Sequence, residues 1–514
     1  MEKPFSPKPM ADYIIERIDS VYCRVWCERG LSQELCDYFT FKVPGAHFMP
    51  SYRNKMWDGK IRLYSIHDYK LFAGLVEYVF RFAKDRDYTV EYRDGKDAWA
   101  KNQDITDQDV TNFFDKVLKP HSAGKLLTAH NHQIDGVGHA LRKKRCLLIS
   151  PTASGKSLII YALIRFYLDT LPKNRKVLII VPTTSLVSQM CSDFADYSSE
   201  DPNWNAEDHC HMVFAGRDKI ADKRVIVSTW QSIYKMKGNY FKNFGAVVGD
   251  ECHLFKAASL KAIMTKLKKC DYRVGLTGTL DGTLTHKLVI EGLFGPAKKV
   301  VSTKELMDKD LLAKLSIDCI LLQYPDEERA ACKKLTYNEE IDFLVGHSGR
   351  NKFIRDLAIS LKGNTLVLYR LVQKHGKALH KSIEKAAADG RKVFFVYGGT
   401  EVTQREEIRR ITELENDAII VASYGTFSTG INIKRLHNII FASPSKSRIR
   451  ILQSLGRSLR KGERKDVAKL YDVADDLHWK KRKNYTLKHF IDRVMLYNAE
   501  KFEYRTVKIN VPRP

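Results

Sequence analysis

A chain of 514 residues is too long for one hydrophobic core, and at about 150 residues per domain it suggests three units. The formal net charge is +25 while hydrophobic residues make up 44% of the sequence, which excludes a disordered tail and describes a folded protein with a basic surface. Such a surface gains affinity for polyanions by releasing counterions, so nucleic acid is the expected partner; no run of about 18 apolar residues offers a membrane span.

In chain order, the opening MEKPFSPKPMADY lacks the apolar centre of a signal peptide, so a cytoplasmic protein is expected. Residues 1–95 are rich in aromatic and basic side chains, and Asp58-Gly59 predicts a tight turn between strands SYRNKMW and KIRLY of a small α+β accessory domain. Cys23, Cys27 and Cys36 lie in this region, but Cys23 and Cys27 sit in a strand-like stretch where an i, i+4 pair is about 13 Å apart, so thiols are expected in place of a metal site. Residues 96–124 are polar and read as a linker.

From there, short apolar runs alternate with helical stretches: CLLIS, VLIIVP, RVIVST, AVVGDE and RVGLTGT, then TLVLY, KVFFVYGG, AIIVASY, NIIFASP and KLYDVAD. Runs apolar on both faces and separated by crossover helices are buried parallel strands. They predict two successive parallel α/β domains, 125–300 and 345–514, the second with carboxy-terminal helices, joined by a connecting segment at 301–344.

Chemistry concentrates at strand ends. Ser150-Pro-Thr152-Ala153-Ser154-Gly155-Lys156-Ser157 follows CLLIS and precedes an apolar helix, the setting a phosphate loop requires. Backbone N–H groups there can surround a β-phosphate, Lys156 can reach the β/γ oxygens and Ser157 can hold Mg²⁺. Asp250-Glu251-Cys252-His253 ends the run AVVG, placing Asp250 to bind Mg²⁺ and Glu251 to orient and deprotonate an attacking water. Thr277-Gly278-Thr279 closes the next strand. In the second domain Gln453-Ser-Leu-Gly456-Arg457-Ser-Leu-Arg460 puts two arginines on one helix face, where both can meet a γ-phosphate. Around Asp58-Gly59, Arg53, Lys55, Lys60 and Arg62 alternate with Tyr52, Trp57 and Tyr64, which suits a DNA backbone or a stacked base equally with a hairpin burying its own rings. The run KKRK at 480–483 is either a DNA contact or a solvated face.

With these elements in this order, residues 125 to 465 resemble superfamily two helicases. The resemblance implies two tandem RecA-like domains, ATP and Mg²⁺, and further roles. Gln133, in HNHQIDGV, would read adenine; Thr183 and Thr184, in PTTSL, and Thr229, in STWQ, would contact the nucleic-acid backbone. Thr277, Thr279 and Gln453 would couple hydrolysis to domain movement. In SYGTFSTGIN, Gly430 and Asn432 would lie near the nucleotide and Ser423 or Thr429 near the strand. Cys252-His253 separates the chain from the DEAD-box RNA class.

YRNKMWDGKIRLY, PTASGKS, VPTTSLVSQM, DECH, VASYGTFSTGI and DRVMLYNAEKFEY together are similar to the recombination and repair helicases of T-even-like bacteriophages over almost the whole chain. That similarity implies an ATP-dependent DNA helicase; a monomer is expected, with room for a small accessory protein. Branched, single-stranded and duplex DNA and RNA–DNA hybrid would be its partners; fork regression, Holliday-junction migration and R-loop unwinding would be its tasks. Two other readings stand beside it: a double-stranded-DNA translocase that does not separate strands, and a non-enzymatic DNA clamp or annealing protein.

Overall fold

The computed structural model describes residues 11–43, 45–95, 104–151, 153–214, 216, 218–254, 257–278, 280, 284–426, 433, 435–443 and 467–511. The chain forms two compact units, the first of Met1–Ser150 with Gly155–Val300 and the second of Val301–Pro514 with the short stretch Pro151–Ser154.

The first unit opens with β1 (Tyr13–Arg17), β2 (Tyr22–Trp26), β3 (Thr40–Lys42), β4 (Lys60–Arg62), β5 (Lys70–Phe72) and β6 (Val90–Tyr92). Four of them make a sheet in the order β5-β2-β1-β6. Alternation sets its faces: Tyr13 and Ile15 of β1 and Cys23 and Val25 of β2 are buried. Two amphipathic helices cover that face, Arg29–Tyr38 through Leu35 and Cys36, and Val76–Lys84 through Val76, Val79, Phe82 and Ala83.

The expected hairpin across Asp58-Gly59 is not formed. Pro50–Arg53 is a single helical turn started by its proline, and β4 pairs antiparallel with β3, about twenty residues upstream. The Asp58 carboxylate accepts the Lys60 N–H at 3.0 Å and Arg62 at 2.5 Å, which builds a local turn without a preceding strand.

This small domain is welded to the parallel-sheet domain of the same unit. Asp271 accepts hydrogen bonds from Arg17 at 2.5 Å and from the Ser20 hydroxyl at 2.6 Å; Arg145 donates to the Ser20 carbonyl at 2.7 Å. A Cβ added at Gly74 would fall 2.2 Å from the Glu291 carbonyl oxygen, so the two backbones approach as only glycine allows.

Past a short hairpin, β7 (His121–Ser122) and β8 (Lys125–Leu126), come β9 (Arg145–Ile149), β10 (Lys176–Val181), β11 (Cys210–Val213), β12 (Val225–Thr229), β13 (Phe244–Gly249), β14 (Tyr272–Thr277) and β15 (Ala297–Lys299). They form one parallel sheet in the order β11-β12-β10-β13-β14-β9-β15. The stretch expected as a linker belongs to this domain: the helix Asp107–Asn112, capped by Thr106, leads into Phe113–Leu118, and Val110, Phe114 and Leu118 are buried in the core. Arg273, fully buried on β14, donates to the carbonyls of Cys270, Leu293, Met264 and Leu267, two of which end helices.

The second unit has β16 (Lys314–Gln323), β17 (Thr365–Tyr369), β18 (Val393–Val396), β19 (Ile419–Ser423), β20 (Asn438–Phe441), β21 (Val467–Asp476) and β22 (Tyr504–Asn510), in the order β18-β19-β17-β20-β21-β16-β22. Two expectations change here. The segment 301–344 is no mere connection, because β16 lies inside the sheet, paired over ten residues with β21. After the helix Tyr485–Ala499 the chain ends its described part as a strand, β22, parallel to β16. Acids on β21 are buried and paired: Asp475 with Arg350 at 2.8 Å, and Asp472 with Arg493 at 2.8 Å and the Tyr497 hydroxyl at 2.9 Å. Among the described residues no helix is long and apolar enough to cross a membrane.

Candidate functional site: a nucleotide site on the first parallel sheet

The carboxyl ends of parallel strands collect ligand-binding loops, since each strand hands over there to a crossover helix whose amino-terminus carries unpaired N–H groups. Five such ends of the first sheet carry the residues singled out by sequence: β9 leads to 150–157, β10 to Thr183 and Thr184, β12 ends in Thr229, β13 runs into Asp250 and Glu251, and β14 ends in Thr277.

The loop after β9 is anchored where the Ser150 N–H donates to the Thr277 carbonyl at 2.9 Å. Ala153 and Gly155 both have left-handed backbone, φ +67° and +80°, which turns the chain into the helix Lys156–Thr170. The buried Gln133 lies against this turn: a Cβ on Gly155 would sit 2.1 Å from its Nε2. Its Oε1 accepts the His130 N–H at 2.8 Å, so the side chain closes its own helix start and presents the amide nitrogen to the loop. The Ser154 hydroxyl donates to the Pro151 carbonyl at 2.7 Å.

Lys156 Nζ is 3.3 Å from the Ser150 carbonyl and 3.3 Å from Glu251 Oε1. Ser157 Oγ is 3.0 Å from the Tyr197 hydroxyl. Tyr197 belongs to none of the motifs; it stands forty positions away at the end of the helix Thr184–Tyr197.

Asp250 and Glu251 are adjacent acids in a buried place. Burial, with the charge of Glu251 second, pushes the Asp250 carboxyl up to about 7 against the opposing pull of Lys156. Its Oδ1 accepts the Glu251 N–H at 2.9 Å. Glu251 has φ +49°, a strained conformation for a glutamate and one that clusters at functional sites. His253 Nδ1 is 2.5 Å from Thr277 Oγ1 and 3.4 Å from Glu251 Oε2, so the ends of β13 and β14 are joined through one imidazole. Cys252 is a packing residue that the motif alone does not explain. A Cβ on Gly249 or Gly275 would lie 2.9 or 3.0 Å from its sulfur, so two glycines make its room.

Thr183 caps its helix, its Oγ1 accepting the Leu186 N–H at 3.4 Å, and Thr184 beside it is exposed. Gln231 Nε2 donates to the Pro182 carbonyl at 3.2 Å, tying the β10 and β12 loops together. Thr229 is buried, its hydroxyl 2.8 Å from Ser232. In the second unit Ser423 Oγ is 2.8 Å from Thr426 Oγ1 at the end of β19. Arg53, Lys55 and Lys60 are exposed and Trp57 half-buried on the small domain. In the run 480–483, Arg482 is engaged with the Lys333 carbonyl. Thr152, Thr279, Thr429, Gly430, Asn432, Gln453, Arg457 and Arg460 lie outside the described residues.

Three family models match the chain: "DNA helicase UvsW, N-terminal" over residues 12–93, "Type III restriction enzyme, res subunit" over 110–282, and "Helicase conserved C-terminal domain" over 349–462. The ATP-dependent DNA helicase UvsW of Enterobacteria phage T4 is 35% identical across 96% of this chain and 98% of its own length. The crystal structure of T4 UvsW aligns over 98% of this chain and 100% of that one, with a TM-score of 0.52. A DNA 3'-5' translocase of Sulfurisphaera tokodaii is 22% identical over 73% of the chain and 87% of its own length. A glycine–lysine turn after β9, an acid pair at the end of β13, one strand away across β14, and full-length similarity therefore agree, and the chain belongs to the UvsW family of ATP-hydrolysing superfamily two DNA helicases, with a RecA-like core and a small amino-terminal α/β domain.

Proposed function

We propose that this protein uses ATP to translocate on DNA and separate its strands at branched substrates, regressing forks, migrating Holliday junctions and unwinding R-loops in recombination, repair and replication. The observation that carries the reading is the meeting of Lys156, Glu251 and Asp250 from the loops after β9 and β13, on either side of β14, with Lys156 and Glu251 3.3 Å apart. A lysine held by the acid that would polarise water is poised to exchange that partner for a γ-phosphate, which frees Glu251 for its task.

Divalent metal fits this donor set. Asp250, raised toward neutrality by burial beside a second acid, gains most from a cation, and the Ser157 hydroxyl adds another hard oxygen. Mg²⁺ bound there would neutralise charge on the phosphates. Gln133, Ala153, Ser154, Gly155 and Gly430 would enclose the nucleotide, with Thr152 and Asn432. Arg457 and Arg460 would supply the remaining positive charge, a contribution worth about 10³–10⁵ in rate in other phosphoryl-transfer enzymes. Thr277, reached by His253, would pass the state of the acid pair to the next strand end, with Thr279 and Gln453. Exposed Thr184, with Thr183, Ser423 and Thr429, would follow phosphates without reading sequence. Thr229, buried, would act by shaping its loop.

The test is junction dissociation. Four-way junctions, forks and RNA–DNA hybrids are offered with ATP and Mg²⁺ to the native chain and to Glu251→Gln. Release of product strands by the native chain alone supports the proposal. ATP turnover stimulated by DNA without strand release would favour translocation alone, the activity named for the Sulfurisphaera relative.

A further inference from the structure

Residues 11–95 carry thirteen acidic and thirteen basic side chains, so the small domain is not a general polyanion surface. Its charge is segregated. Between Thr40 and Arg62 stand Lys42, Arg53, Lys55, Lys60 and Arg62 against the single acid Asp58, and the rest of the domain is correspondingly acidic. The same stretch holds the domain's most exposed apolar side chains, Met56 at 78%, Phe48 at 69% and Met49 at 42%.

Among them lies an open basin of about 550 Å³ lined by His47, Tyr52, Arg53, Lys55, Met56, Trp57 and Asp58. That volume falls within the roughly 300–1,000 Å³ typical of small-ligand sites. Its walls are held in place. The Trp57 indole N–H donates to the Lys60 carbonyl at 2.8 Å, and Arg53 Nε donates to the His47 carbonyl at 3.3 Å. Gly59, at φ +75°, lets Tyr52 and Ala46 pack close against the turn, because a Cβ there would be 3.0 Å from Tyr52 Cδ2 and Cε2 and from Ala46 Cβ. Lys55 adopts a left-handed φ of +56°, a conformation that is costly for lysine and kept where the surroundings enforce it. Asp58, the one acid on the rim, is neutralised by Arg62 and so does not oppose an anion.

We infer that this basin holds one unpaired DNA nucleobase, its ring against Trp57 and Tyr52 and its flanking phosphates on Arg53, Lys55 and Lys60. The inference rests on the DNA-motor reading and deepens it by giving the small domain a grip on single-stranded DNA apart from the motor loops. Duplex backbone needs only the cations, since its bases stay stacked on each other. Two aromatic walls and the thioether of Met56 are the groups that a free base face uses.

The test uses the full chain and forked oligonucleotides carrying a single 5-iodouracil at successive positions, irradiated and then digested with trypsin. Lys55 and Lys60 bound the fragment Met56–Lys60, whose one aromatic is Trp57. Crosslinking to that fragment from one or two neighbouring unpaired positions, absent when the same position is paired, is the expected result. Loss of one stacked base should weaken fork binding by about 5- to 150-fold in Trp57→Ala while leaving blunt-duplex binding near native. Because Trp57→Ala removes a hydrogen bond of the turn, Lys55→Gly serves as the second variant: it removes the cation, relieves the left-handed φ, and should weaken fork binding in low salt with an undiminished thermal midpoint. Full fork binding and DNA-stimulated ATP turnover with no crosslink to Met56–Lys60 from any unpaired position, or equal crosslinking from paired ones, overturns the inference and leaves the motor standing. Absence of DNA binding altogether would remove both.

Discussion

Gly155→Ala tests the loop after β9 that is proposed to receive phosphate. The left-handed backbone, φ +80°, costs an alanine about 1–2 kcal/mol. The new methyl would also meet Gln133 Nε2 at 2.1 Å, and Gln133 can yield only by giving up its 2.8 Å bond to the His130 N–H, worth about 1 kcal/mol. The loop must carry roughly 2–3 kcal/mol or leave the shape that receives phosphate, so nucleotide affinity should fall about 30- to 150-fold. The contact with Gln133 couples the two sites. In a Gln133→Ala background, Gly155→Ala should cost only the backbone part, about 1–2 kcal/mol, giving a coupling near 1 kcal/mol. Titration of a fluorescent ADP analogue into the four proteins measures this cycle. Gly155→Ala binding nucleotide as well as the native chain, or strictly additive losses in the double variant, would refute the reasoning.

Three other expectations rest on buried contacts. Arg493→Met leaves Asp472 buried with only the Tyr497 hydroxyl as a neutral partner, and urea unfolding should show a loss of about 3–5 kcal/mol in the second unit; a loss under 1 would contradict the pairing. Burial and the nearby charge of Arg350 pull the His375 imidazole down to about 3, so it stays neutral when folded and protonates on unfolding below its ordinary value. Its contribution is complete above about pH 6.5 and is lost as pH falls toward 3, amounting to about 2 kcal/mol between pH 6.5 and 5. His375→Gln should flatten that part of the stability–pH curve relative to the native chain, and an unchanged slope would rule the account out. Gly74→Ala drives a methyl into the Glu291 carbonyl, so amide exchange in the helix Leu284–Leu293 should accelerate together with that in β5; exchange confined to one side would mean that the small domain is not welded there.

The motor strands were legible because a parallel strand covered on both faces is a continuous apolar run, and VLIIV and AVVG can hardly be anything else. The loops at their ends were legible because phosphate chemistry needs glycine, lysine and acids at fixed offsets from a strand. Harder features depend on distant partners. SIDCILLQYP reads as a strand, yet its place inside the second sheet depends on Val467–Asp476, some 150 residues on. Asp58-Gly59 gives a strong local hairpin signal, but Pro50 starts a helical turn and Thr40–Lys42 supplies the actual partner strand. A signal existed for the supposed linker: Val110, Phe114 and Leu118 recur every fourth residue, the stripe of a helix docked on a core. No sequence signal marks Tyr197 or Arg273, whose partners are a serine hydroxyl forty positions off and four backbone carbonyls. Cys252 could be seen as the departure within its motif, though not as the filler between Gly249 and Gly275.

The most direct measurement of the central claim is steady-state ATP hydrolysis with and without single-stranded and forked DNA, for the native chain, Lys156→Ala and Glu251→Gln. The account expects DNA to raise turnover in the native chain, with both variants reduced by at least about 10²-fold, the scale of a positioned general base, and Glu251→Gln still binding nucleotide. Turnover indifferent to DNA, or variants that hydrolyse ATP as the native chain does, would contradict it.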